Sequence, residues 1–574
     1  MKKKGLFSRR AFVKGGLATS FSPAVAAIAR PLRKLASLDQ GDSLDPLPDL
    51  GVIALNRLTF GPRPEDFGKF KKLGKTDIRR LQAFVEMQLE PGRLGGDSIC
   101  EGKVKEAGLS TLNKNFTQLW ADHVVAADVL RETEKEKISS MADSGDTPRP
   151  GLAKTELAKI EKGNENQLRL EPITQLENAT WIRAIYSDRQ LFEVLVNFWH
   201  DHFSIFGWEG KISPLFIHYD RDVIRKHALG NFREMLEDVA RSPAMLVYLD
   251  NALNQSGNPN ENYARELFEL HTLGAENYLG TQDRKTVAGF GTGQSIGYVD
   301  GDVYEAARGF TGWRLDQGKD SKNTGQFDYF EQWHDRFQKI VLGHPLVEYQ
   351  PPLKDGKDIL DLLTKHPGTA RYVCRKLCRR LVSNNPSNTL VEKAANVFRE
   401  NLKAHDQLKQ VVKTIIFSNE FRNSWGHKIK RPFEFTVGLL RATGADFSFS
   451  DPFKNNFEKT GQRLFQWRTP DGYPDFHEKW ANTNSLLERW RLTDQIFLGG
   501  LPGIKIDADL IRQNIKGMSP ENLISYWGHQ YLGREVSIET FNAIITFLKD
   551  DKIGGKKVAG ALALLFMSPD FQWS

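Results

Sequence analysis

Cysteine is scarce in this chain: Cys100, Cys374 and Cys378 are the three thiols in 574 residues. So few exclude a disulfide-stapled framework, and the lack of a C-x-x-C-H motif excludes covalent haem attachment. Cys374 and Cys378 stand four apart beside Val373, Leu377 and Leu381, which reads as two buried thiols on one helix. Long apolar runs are missing as well. The most apolar stretch near the N-terminus is about fifteen residues with Gly, Ser and Pro inside it, short of the roughly 20 that cross a bilayer. Alternating patterns of the kind that make half-buried strands are rare. No H-E-x-x-H pair occurs, which argues against the commonest zinc hydrolases.

The N-terminus carries what a core domain would not need. Lys2, Lys3 and Lys4 precede Ser8-Arg9-Arg10-Ala11-Phe12-Val13-Lys14, and a Gly/Ala/Ser-rich run ends in Ala24-Val25-Ala26 and Ala27-Ile28-Ala29. This is the pattern of a twin-arginine export signal over residues 1 to 29, followed by a linker over 30 to 48. It implies passage through the Tat translocase and a periplasmic or secreted product. No lipid-attachment cysteine follows the signal, and the mature chain has no transmembrane segment. The charge balance changes with the signal: the chain holds 79 Lys+Arg and 72 Asp+Glu, net +7. Residues 1 to 29 contribute six of those cations and no anion, so the mature chain is near +1. Nucleic-acid binding loses its main support.

Apolar residues recur at three- and four-residue spacing from about 50 to 90, 172 to 206, 214 to 250, 260 to 273, 355 to 382, 388 to 418, 430 to 443, 483 to 498 and 536 to 567. The expected fold is mainly α, a large single domain of packed antiparallel helices over 49 to 574 with irregular loop insertions. Two stretches interrupt the periodicity. Residues 131 to 170 are charged and poor in large apolar groups, which predicts a solvated, mobile loop at least in their middle. Residues 275 to 302 are Gly-rich; "GFGTGQSIG" lacks the preceding strand and Lys-Ser/Thr ending of a phosphate loop, so an insertion or lid is the better reading. His366-Pro367-Gly368-Thr369 reads as a helix start.

Eight segments together carry a family pattern: "ALNRLTFGPRPEDF" (54 to 67), "NFWHDHFSI" (197 to 205), "NPNENYARELFELHTLG" (258 to 274), "EAARGFTGW" (305 to 313), "KDILDLLTKHPGTARYVCRKLCRRLV" (357 to 382), "RPFEFTVGLLRATG" (431 to 444), "GQRLFQWRTPDGYPD" (461 to 475) and "LALLFMSPDFQ" (562 to 572). In these the chain resembles the bacterial family labelled domain of unknown function 1800. The resemblance implies a helical, exported protein with no established activity, often encoded beside a secreted phosphatase- or sulfatase-like protein that would be its partner. Here the link after "LHTLG" is more than twenty residues longer than is usual in the family. Where many relatives have paired histidines this chain has Gln332-Trp333-His334-Asp335, so only His334 and Asp335 carry over.

At 100° per residue, Asn262, Glu266 and Glu269 border the buried stripe of their helix, and His271 lies on its other border. Glu261, Arg265 and Glu269 are spaced for helical ion pairs. In the other block Trp199 and Phe203 face the core, Glu193, Asn197 and His200 form one polar stripe, His202 points the other way and Asp201 points outward. Neither helix makes a site alone. If the two face each other, His200, His202, Glu266 and His334 become ligands for a divalent metal (zinc, iron or manganese), with Arg265 as substrate clamp and Glu269 in support. Asn262, Asn197, Trp199 and His271 would line the binding site. A metal-free Glu-His acid/base pair is the other chemical reading. Two further readings stay open: a polar network that only fixes helix register, and a non-catalytic scaffold that binds another secreted protein.

Overall fold

The computed structural model describes residues 47–90, 96–143, 152–318, 321–507, 515–549 and 554–574. The expected export signal over 1 to 29 and nearly all of the expected linker over 30 to 48 lie outside the described residues. Helices dominate, and the strands among the described residues are three two-stranded antiparallel ribbons. The chain packs as two compact units, one of 1–84, 423–462 and 476–574, the other of 85–422 and 463–475.

In the first unit the helix Leu50–Leu58 is apolar almost all round and correspondingly buried, as are Pro432–Ala442 and Gly555–Met567. Two glycines let backbones touch: a Cβ on Gly61, at φ +124°, would stand 2.9 Å from the Gly438 Cα. That contact ties the "FGPRP" turn to the "TVGLL" helix. The Thr483–Phe497 helix, capped by the Asn482 side chain on the Ser485 amide, completes this core.

The second unit carries the candidate blocks. Pro367–Leu381, Asn388–Glu400 and Gln407–Ile416 follow one another through short turns and pack in sequence. The start of the first is as read: Pro367 occupies the first turn and the His366 Nδ1 accepts from the Gly368 amide at 2.9 Å. Its Cys374 and Cys378 are buried, free thiols, and burial pushes Cys378 up to about 12.

The described flanks of 131 to 170 are helical, within Ala126–Asp143 and Leu152–Tyr186. Their charges are helix formers that pair: Arg169 binds Glu165 one turn back at 3.0 Å and Asp128 on the other helix at 2.7 Å. Residues 144–151 lie outside the described residues. The 275 to 302 insertion is folded in place rather than an open lid. A bridge between Tyr278 and Tyr298 closes it, the Ser295 amide donates to the Leu342 carbonyl, and His366 donates to the Ser295 carbonyl.

Candidate functional site

The Gln190–His202 helix places its two histidines on different sides, as its phase requires. His200 donates from Nε2 to Asp220 at 2.9 Å. Asp220 also accepts from Arg225 Nε at 2.9 Å and lies 3.6 Å from Arg183, while Arg225 grips both oxygens of Glu193 at 3.0 and 2.8 Å. Against the upward push of burial, Arg225, His200 and Arg183 hold the Asp220 carboxyl far below the usual carboxylate range. The polar stripe of Glu193 and His200 is thus a satisfied buried network. His202, on the opposite side, packs between Trp199 and Phe203 and donates from Nε2 to the His271 carbonyl at 3.2 Å. Trp199 is core, its indole N–H donating to the Ala228 carbonyl.

His334 belongs to a third neighbourhood. It donates from Nδ1 to the Thr311 carbonyl and sets Nε2 3.2 Å from Asp355. Asp355 in turn receives Lys339, whose other two donations go to the carbonyls of Asp335 and Phe337. Asp335 is held by Arg308 through both oxygens. The four proposed metal ligands, His200, His202, Glu266 and His334, are therefore not brought together, and the described residues contain no group of three or more His, Cys, Asp or Glu placed to hold a metal. The expected ligand set is corrected on that ground. Each histidine is taken by a different carboxylate or carbonyl.

Arg265 is also reassigned. It pairs with Glu261 at 3.1 Å, as its spacing predicts, and with Asp300 at 3.1 Å, because the folded insertion returns Asp300 over it. A guanidinium held by two carboxylates is not a free clamp. Asn262 is exposed at the start of its helix, away from any cleft. Asn197 accepts from Arg380 at 3.0 Å and so anchors a neighbouring helix instead of a ligand.

What remains is a different convergence. The helix Asn262–Glu266 passes into a π-turn, Leu267–His271, and the extra residue in that turn resets the direction of every side chain after Glu266. Glu266 and Glu269 are both half-buried. From the Pro367–Leu381 helix, Tyr372 and Lys376 stand one turn apart, with Lys376 Nζ 5.5 Å from the Tyr372 ring. Gly274 of "LHTLG" lets Tyr372 in: at φ +88° its missing Cβ would lie 2.4 Å from the ring. The 463 to 475 loop closes the third side. Gly472, at φ +72°, presses on the end of the "FWHDH" helix, where a Cβ would stand 1.9 Å from the Asp201 carbonyl oxygen. Arg380 fixes the loop's far end through Asp475 at 3.2 Å, and Asp471 receives the Trp467 indole at 2.7 Å.

Electrostatics single out two groups in this cleft. Burial first, then the neighbouring Glu269 and the Asp471 carboxylate, push Glu266 up to about 7, with Arg265 opposing. Its carboxyl accepts no hydrogen bond from a described residue. Burial brings Lys376 down to about 8, although Asp475, Asp201 and Asp471 favour its charged form. No described carboxylate comes within ion-pair distance of it. Asp471 acts on both groups and also helps raise Tyr248 and Tyr372. Beneath them His271 is wholly buried with neither ring nitrogen partnered, and burial plus Lys376 takes it down to about 3. Lys376, Asp201, Asp471 and Tyr372 are not among the residues that the sequence singles out, because nothing local distinguishes them from the other charged and aromatic residues of their segments. A cavity of about 410 Å³ lined by Phe116, His218, Asp222, Asp238, Arg241 and Phe327 lies elsewhere on this unit and includes none of these groups.

Gly472→Ala is expected to displace the loop, because the left-handed backbone alone costs an L-residue roughly 1–2 kcal/mol and the clash is with backbone. Limited proteolysis should then cut within 463 to 475 where the parent resists. Equal resistance would mean the loop does not depend on this contact.

Fold and site define a mainly helical protein in which the 258 to 274, 357 to 382 and 463 to 475 segments bring together one carboxyl and one amine shifted toward neutrality, both acted on by Asp471. The chain belongs to the family described as "Protein of unknown function (DUF1800)", whose model matches residues 53–573. No curated protein and no solved structure matches it. No helix of the described residues is long and apolar enough to cross a membrane.

Proposed function

We propose that this is an exported enzyme working by general acid/base chemistry, with Glu266 as the proton-transferring group and Lys376 as the cation that stabilises developing negative charge. What supports the reading is a carboxyl and an amine both shifted toward neutrality, both under the charge of Asp471 and neither with a hydrogen-bond or ion-pair partner among the described residues. A carboxyl at about 7 is poised to take or give a proton at neutral pH. Tyr248 and Tyr372 stand under the same Asp471 charge; Tyr248 donates its hydroxyl to the Arg468 carbonyl, and Tyr372 would offer its hydroxyl to a polar substrate. The twin-arginine pattern over residues 1 to 29 supports an activity in the periplasm or outside the cell, reached through the Tat translocase. A divalent metal, zinc, iron or manganese, would draw here on the carboxylates of Glu266 and Glu269 and not on the histidines.

The test uses the mature chain, residues 30 to 574, exported natively and purified without chelator or affinity histidines. Elemental analysis comes first, then a panel of hydrolysable esters, phosphomonoesters and glycosides with the parent, Glu266→Gln and Lys376→Met. Turnover that both variants abolish while staying folded supports the proposal. A turnover indifferent to both overturns it.

One observation favours a second reading, a scaffold for another secreted protein such as the phosphatase- or sulfatase-like neighbour. Phe337, Val347 and Tyr349, on and beside the Lys339–Val341 and His344–Leu346 ribbon, are 63, 64 and 64% exposed. Co-purification of such a partner that Phe337→Ser and Tyr349→Ser abolish would favour it.

A further inference from the structure

The first unit buries more hydrogen-bond donors than its own acceptors satisfy. Arg489 is wholly inaccessible, and Arg57 and Lys430 are nearly so. Arg489 donates from Nη1 to the Lys430 carbonyl at 2.8 Å and to Gln572 Oε1 at 2.9 Å, and from Nη2 to the Trp480 carbonyl at 3.3 Å. Its Nε has no partner. Arg57 spends one donation on the Ser424 carbonyl, and its Nε is buried without an acceptor. Lys430 Nζ lies 4.0 Å over the Phe571 ring and reaches no described oxygen. The Gln572 amide, whose oxygen is taken by Arg489, leaves its nitrogen buried and unmatched.

These groups share one neighbourhood. The Lys430 amide donates to the Gln572 carbonyl at 2.8 Å, and the charges of Arg57 and Lys430 repel each other. One carboxylate, Glu434, acts on Arg57, Lys430 and Arg489 alike. That carboxylate already accepts from the Arg431 amide and from Arg431 Nε. Three buried cations thus face one committed anion, an arrangement that costs several kcal/mol per uncompensated charge. An arginine cannot escape that cost by losing its proton.

We propose that this cluster is a binding site for a small polyatomic oxyanion of the phosphate or sulfate class, held by Lys430, Arg57 and Gln572 with Arg489 behind them. A single-atom anion would balance charge but could not meet donors coming from several side chains, whereas a tetrahedral oxyanion offers acceptors in several directions. Burial, opposed only by Glu434, takes Lys430 down to about 7 and both arginines to about 9, which is the state expected when the counter-charge is missing. The site is independent of the Glu266 cleft and of any activity there.

The experiment is thermal unfolding of the mature chain after exhaustive dialysis into an amine buffer free of phosphate and sulfate. Inorganic phosphate, sulfate and, at matched ionic strength, chloride are then titrated in. The proposal expects a saturable rise of about 5 °C with phosphate or sulfate at a hundredfold excess over the dissociation constant, and no comparable rise with chloride. Lys430→Met should lose the saturable part. Where that variant does not fold, native mass spectrometry of the parent decides, through retention of one oxyanion per chain. Phosphate and sulfate curves that coincide with chloride, or a Lys430→Met variant that responds like the parent, overturn the proposal.

Discussion

Replacing Asp220 with alanine is expected to lower stability by about 3–5 kcal/mol, the cost of breaking a buried ion pair from one side. Asp220 is 2% exposed and compensates Arg225, Arg183 and the His200 N–H. Without it the two arginines share Glu193 alone. Denaturant titration at pH 7 measures the loss, and Asp220→Ala combined with Arg225→Met should recover part of it, because the orphaned charge goes too. The pH dependence has a definite sign. The folded-state carboxyl lies below its unfolded value of 3.8, so its contribution is complete above that value and is lost as the pH falls through the folded-state value. The variant should therefore lose less than the parent on acidification from pH 5 to 2. A cost below about 1 kcal/mol would place the network among surface pairs of little weight.

Glu266→Gln is expected to do the reverse to stability while removing activity. The Glu266 carboxyl is raised from 4.5 to about 7 in the folded chain, so the folded state holds a proton that the unfolded state releases. Between those values stability falls with rising pH, and above about 7 the ionised group costs the fold on the order of 3 kcal/mol. The amide variant escapes this. It should unfold at higher temperature than the parent at pH 8 and at nearly the same temperature at pH 4. A residue kept for structure would behave otherwise: its replacement would destabilise at both pH values. Gain of stability together with loss of turnover is the signature of a group held in an unfavourable state for chemistry.

Much of the helical skeleton was legible because it follows from local rules. The apolar periods over 355 to 382 and 483 to 498 became helices whose starts are set by His366-Pro367 and Asn482. The helical flanks of the charged 131 to 170 stretch were harder to read, because a helix pair joined by Arg169 to Glu165 and Asp128 needs few large apolar residues to declare itself. The site was legible in part. Helical phase placed His200 and His202 on different sides, and both are so placed. Phase could not say which surface each side meets: His200 meets Asp220, and Asp201 meets the Gly472 turn. It also failed beyond Glu266, where the π-turn adds a residue that 100° steps do not count. Lys376 was hidden by its company. Among Arg375, Arg379 and Arg380 it reads as one more cation on a solvated face, and only the tertiary fold distinguishes it.

The most direct test of the acid/base reading is pH-resolved trace acylation of native protein, with the reactivity of Lys376 followed by peptide mass spectrometry. Only the neutral amine reacts, so the midpoint of the profile reports its proton affinity. The account predicts a midpoint near 8, against an ordinary 10.5, and a further fall in Asp471→Asn, since Asp471 favours the charged amine. A midpoint in the ordinary lysine range, unmoved by Asp471→Asn, would make Lys376 a solvated surface cation and contradict the acid/base cleft.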